Sequence, residues 1–95
     1  MPAYLVADVQ WHDAEALSRY VQGHDELLAK YGGEFVVSSD DAEIIEGNWK
    51  PRNLVIIRFP SKRAIHEWYD SSEYAPRLAL RLKHADANLV FIGDP

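Results

Sequence analysis

The chain contains no cysteine. That removes disulfide frameworks, thiolate metal sites and cysteine-based nucleophilic or redox chemistry. It also lacks any apolar run near the ~20 residues a membrane-spanning helix needs, so no membrane partner is expected. Positive charge is scarce: 10 Lys and Arg stand against 15 Asp and Glu, for a formal charge of -5. No basic field is available to draw in a phosphate backbone, and nucleic acid is not an expected partner. The four histidines, His12, His24, His66 and His84, fall at no metal-ligating spacing, so no metal site is expected. There is no cofactor fingerprint, no phosphate-cradling glycine loop and no Ser-His-Asp arrangement. No cofactor is expected on these grounds, although one histidine suffices to ligate haem. The opening MPAYLVADVQ has neither the basic start nor the small-residue cleavage site of a secretory signal, and the expected location is cytoplasmic. No linker, repeat or low-complexity tract interrupts the 95 residues, which read as a single domain over 1–95.

What is present centres on Glu46 to Ser61, EGNWKPRNLVIIRFPS. Gly47 can supply the positive φ of a turn, and Pro51 fixes its own φ and holds Lys50 extended. Leu54 to Phe59 then forms a strand, apolar except at Arg58, which Pro60 ends before Ser61 caps a helix.

In chain order, Tyr4 to Val9 reads as a first strand. Asp13 caps a helix on which Leu17, Tyr20, Val21, His24, Leu27, Leu28 and Tyr31 recur at helical spacing up to Gly32-Gly33. Phe35 to Val37 is a short second strand, and Glu43 to Glu46 can extend towards the central turn. After Ser61, one helix carries Ala64, Ile65, Trp68 and Tyr69 on one face until Asp70-Ser71-Ser72 breaks it. A further helix follows, with Pro76 near its start and Tyr74, Leu78, Arg81, Leu82 and Ala85 on one face. Asn88 to Ile92 is the last strand, and Gly93-Asp94-Pro95 is expected to fray.

The order is βαββαβ with a split second helical region. The fold class is α+β, a ferredoxin-like four-stranded antiparallel sheet with its helices on one face. Strands apolar on both sides need cover on both, and the helix-free face is most cheaply met by a second copy. A homodimer packed sheet to sheet is therefore expected.

His24, on the inward face of the first helix, suits a general acid or base, or simply closes the core edge. Trp49, Trp68, Tyr69 and Tyr74 can line a pocket for a flat ligand, or pack as ordinary core. Arg81, on an apolar face, and Arg52, beside the turn, can hold a carboxylate or enolate oxygen; alternatively Arg81 pairs with Glu46 or Asp8. Trp49 and Arg52 also read as a latch at the pocket rim.

Several pieces together, Tyr31-Gly32-Gly33, E-G-x-W-x-P at Glu46 to Pro51, F-P-S at Phe59 to Ser61 and W-Y-x-S-x-E-Y at Trp68 to Tyr74 with Arg81 behind it, resemble the small bacterial proteins of domain of unknown function thirteen-thirty. The resemblance covers nearly the whole chain and implies the dimeric α/β-barrel superfamily with ferredoxin-like protomers. The superfamily includes cofactor-independent monooxygenases, isomerases, stress-responsive proteins and haem enzymes that share a cavity between sheet and helices. The resemblance thus bears on the fold and the cavity more than on a reaction; the residues themselves lead to the expectation of a small-molecule pocket and a cofactor-independent reaction on an aromatic or enolisable compound, with His24 as proton carrier and Arg81 as oxyanion or carboxylate partner. A non-catalytic binding or stress-associated module is the alternative. Arg58 stands where the family commonly has an acidic residue, so an acid role there does not carry over.

Overall fold

A computed structural model describes residues 2–93 of the chain; the expected fraying at Asp94 and Pro95 lies outside them. Eight elements follow one another: β1 (Ala3–Trp11), α1 (Ala14–Val21), α2 (His24–Lys30), β2 (Glu34–Ser39), β3 (Leu54–Phe59), α3 (Lys62–Tyr69), α4 (Ala75–His84) and β4 (Ala85–Gly93). The strands form one antiparallel sheet in the order β2-β3-β1-β4, the ferredoxin-like arrangement expected from the sequence.

β1 sits between β3 and β4 and sets the two faces. Ala3, Leu5, Ala7 and Val9 are buried towards the helices, and the cross-strand register aligns Leu5 with Ile57 and Phe91, and Ala7 with Val55 and Leu89. The alternate residues form the helix-free face, where Val6 aligns with Ile56 and Val90, and Tyr4 with Arg58 and Ile92. Val90 and Ile92 are 55% and 50% exposed there. The unbroken apolar run of β4 thus conceals a regular alternation: Leu89 and Phe91 face the helices, and Val90 and Ile92 face outwards. On the same outer face Arg58 lies 3.8 Å from Glu34 of β2, an exposed cross-strand pair that adds little stability.

The first helical region corrects the sequence reading. One helix through to Tyr31 was the expectation, but the chain breaks at Gln22-Gly23, with Gly23 at φ 72°. Arg77 of α4 closes the break by donating to the carbonyls of Tyr20, at 3.1 Å, and Gln22, two acceptors that a continuing helix would have used internally. The caps follow expectation. The Asp13 carboxylate accepts from the Ala16 N–H at 3.0 Å, and Ser61 Oγ from the Ala64 N–H at 3.1 Å.

Two further expectations change. Glu43 to Glu46 takes no regular structure, and its Ile44 and Ile45 are exposed. Leu82 is 68% exposed rather than on the inner face of α4, because it follows the buried Arg81 directly and so lies about 100° further round the helix. The core gathers the inner residues of β1 and β3 with Leu27, Leu28, Ile65, Trp68 and Tyr74.

Candidate functional site

The sheet floor is thin at its centre. Ala7 offers only a methyl group between Val55 and Leu89, while the break between α1 and α2 interrupts the layer above. A cavity of about 460 Å³ opens in this space, within the roughly 300–1,000 Å³ of small-molecule sites. β1 and β3 supply the floor through Leu5, Ala7, Val9, Val55 and Ile57. The helices add Tyr20, His24, Trp68, Tyr74 and Arg81, and Leu17, Val21 and Phe35 form an exposed apolar rim.

Four of the expected site residues line this one cavity: His24, Trp68, Tyr74 and Arg81. His24 begins α2 directly after the glycine joint and is only 4% exposed. Its ring stacks against Trp68 and Tyr74, with centroids 5.8 and 5.9 Å away, and meets the edge of Tyr20 at 4.9 Å. Among the described residues His24 Nε2 has no hydrogen-bond partner, and neither has Trp68 Nε1. Burial, helped by the positive charge of Arg77, pushes the His24 imidazole down to about 4, so it is neutral at pH 7.

Arg81 is 6% exposed and no carboxylate pairs with it among the described residues. Its Nε lies 3.5 Å from the Tyr74 hydroxyl, and that hydroxyl is 2.7 Å from the hydroxyl of Tyr20. Burial pushes the Tyr20 phenol far above its usual value, so it stays protonated. Burial works against the charge on Arg81 but is outweighed by its phenol neighbours, Tyr74 first, and its affinity for the proton rises. The cavity therefore holds a fixed cation, a neutral imidazole with a free nitrogen and a short chain of phenols. This arrangement can accept a proton and receive the negative charge left behind.

The pairing of Arg81 with Asp8 or Glu46 is not found. Asp8 of β1 instead accepts from the Trp49 indole N–H at 3.1 Å, the Arg52 N–H at 2.9 Å and the Asn53 N–H at 3.4 Å. The Arg52 N–H, first among these, holds the Asp8 carboxyl below its usual value. Trp49 and Arg52 thus lie outside the cavity. Trp49 is 61% exposed, and the pair fastens the loop before β3 onto Asp8, the outward residue between Ala7 and Val9. Arg52 also borders a small polar hollow with Asp8, Gln10, Asp86 and Asn88. Tyr69 likewise does not line the cavity; it packs on Phe91 and Trp68.

Sequence reasoning passed over Tyr20 and Arg77. Tyr20 precedes His24 by four residues and Arg77 precedes Arg81 by four, the interval that places helical neighbours on one face. A lone glycine inside a helical pattern was the available sign of the joint at Gly23. Ser38 and Asn53 also line the cavity, and no local pattern marks them.

The family described as Domain of unknown function (DUF1330) matches residues 2–94, and the chain belongs to it. No curated protein matches the chain. Among solved structures, a protein of unknown function from Rhodopseudomonas palustris superposes with a TM-score of 0.77 at 19% identity, over 96% of this chain and 80% of that one. A dimeric ferredoxin-like protein of unknown function from Jannaschia sp. CCS1 gives 0.72 at 12% identity, over 98% and 99%. SnoaB, a cofactor-independent oxygenase from Streptomyces nogalater, gives 0.69 at 12% identity, over 99% and 93%. At these identities the likeness establishes a shared fold.

Proposed function

We propose that this DUF1330 member is a homodimeric, cofactor-independent enzyme that moves a proton on an aromatic or enolisable small molecule bound between its sheet and helices. The observation that carries this reading is one cavity lined by both His24, whose buried Nε2 has no partner, and Arg81, which is buried with no counter-ion, among the described residues. A core histidine ordinarily has its nitrogens hydrogen-bonded, and a buried guanidinium ordinarily has an anion. Both exceptions in the same space point to a molecule that supplies the missing partners.

In the proposed reaction the neutral Nε2 takes a proton from the carbon next to a carbonyl, and the bonding electrons move onto the carbonyl oxygen. Arg81 stabilises that oxyanion, while Trp68 and Tyr74 hold the flat body of the substrate. Return of the proton at another carbon gives an isomerisation. Alternatively the enolate carbon gives its electrons to molecular oxygen and forms a C–O bond to a peroxide, which takes up the abstracted proton. Where that carbon bears a second hydrogen, the peroxide breaks its O–O bond with loss of water to leave a carbonyl; this is an oxygenation, the class of SnoaB. The second copy packs on the helix-free face through Val6, Ile56, Val90 and Ile92.

Solvent deuterium exchange into enolisable aryl ketones, followed by proton NMR, tests the reading. The wild type should accelerate exchange, and His24→Gln should lose about 100- to 10,000-fold of that acceleration, the usual contribution of a positioned general base. Equal rates for the two proteins would leave only a binding module.

A further inference from the structure

The cavity carries one sign of charge. The whole chain has a formal charge of -5, yet among the described residues Arg81 is the sole fixed charge that lines the cavity and no Asp or Glu does. Its one hydrogen bond is the long contact from Nε to Tyr74, which leaves the two terminal nitrogens of the guanidinium unengaged by any side chain among the described residues. A guanidinium presents its donors as a planar fork that fits the two oxygens of a carboxylate. Trp68 lines the same cavity, and its buried Nε1 has no hydrogen-bond partner among the described residues. The remaining surface is aromatic and aliphatic, with rings of Tyr20, His24, Trp68 and Tyr74 about 4 to 6 Å apart.

We infer that the ligand enters the site already as an anion: a flat, largely apolar monocarboxylate whose two oxygens take the terminal N–H groups of Arg81. The inference rests on the reading of the cavity as a small-molecule proton-transfer site and adds the chemical class of the molecule. A neutral ketone leaves the cation uncompensated until the transition state, whereas a carboxylate satisfies it on binding; where the proton lost is the one on the carbon next to that carboxylate, the same two oxygens carry the added negative charge on Arg81. The same charge has a second effect. A bound anion favours the imidazolium form of His24, and so raises a base that burial and Arg77 otherwise hold down. The ligand thereby brings the basicity its own reaction needs.

Calorimetric titration of the protein with benzoate and naphthoate, and with the neutral amides of the same shape, tests the inference. The acids should bind about 10- to 100-fold more tightly than their amides, as expected for hydrogen bonds to a charged group. Arg81→Met should abolish that preference. Because a buried ion without a partner can be replaced by an apolar side chain of similar size at little cost, ligand-free Arg81→Met should melt at or above the temperature of the wild type. Amides that bind as well as acids, or a preference that survives in Arg81→Met, would overturn the anionic class while leaving His24-dependent exchange intact. Absence of binding by both acids and amides would overturn it together with the pocket itself. A markedly lower melting temperature of Arg81→Met would assign the arginine to packing and overturn the inference too.

Discussion

At the scale of single residues, His24 sits in an environment far from what its side chain prefers in water. Its ring is enclosed by Tyr20, Trp68, Tyr74 and Phe35, and the folded-state value of about 4 lies below the ordinary 6.5. Between these two values the unfolded chain carries a proton that the folded chain does not. Stability from this residue is therefore complete above pH 6.5 and is lost as pH falls towards 4, by an amount on the order of a few kcal/mol. In urea titrations the wild type should lose stability over that window, and His24→Phe should lose much less. The lowered carboxyls of Asp8, Asp13 and Glu73 are common to both proteins and cancel in the difference. The inward placement of His24 and Arg81 was legible in the sequence because both fall at helical spacing among apolar residues. Their lack of partners was not, since Asp8 was an equally good candidate for Arg81 until the loop residues Trp49, Arg52 and Asn53 were seen to occupy it.

At the scale of elements, the joint between α1 and α2 makes the site. It places His24 at the start of a new helix and brings Arg77 against the carbonyls of Tyr20 and Gln22. Gly23 is bound to this geometry twice, by its φ of 72° and by the Arg77 Nη2 atom that an added Cβ would meet at 3.2 Å. Gly23→Ala should cost about 1 kcal/mol or more from the left-handed backbone alone, and it should shift the His24 ring signals in an NMR spectrum. An unchanged melting temperature and unchanged ring signals would mean that the joint is dispensable. Strand and helix order were readable because capping residues, glycine stops and apolar periodicity agree at most boundaries. Asp13, Ser61 and Gly47, which takes φ 90°, behave as their chemistry dictates. The break at Gly23 escaped because the apolar period runs through it in phase, which masks the one local sign, the glycine, and the Arg77 contact that accompanies the break is tertiary.

For the whole molecule, the sheet divides two tasks between its faces. The helix side holds the cavity, and the bare side presents Tyr4, Val6, Ile56, Val90 and Ile92, with Val90 and Ile92 at least half exposed. Under the proposed assembly that face is covered by its copy, and sedimentation equilibrium should give twice the 10.9 kDa chain mass. Val90→Lys, which buries an unpaired charge from each copy in such an interface, should give the chain mass, and a wild-type monomer at micromolar concentration would contradict the assembly. Under the proposed function the whole molecule serves one event, transfer of a proton to His24 in this cavity. Its most direct test is the pH dependence of second-order exchange by the free protein, set beside an NMR titration of His24 in the same sample, because that rate constant reports ionisations of the free protein. One inflection near pH 4 is expected in both curves, with a flat rate from pH 5 to 8. A rate that follows an ionisation near 6.5, or an inflection that persists in His24→Gln, would contradict transfer to His24.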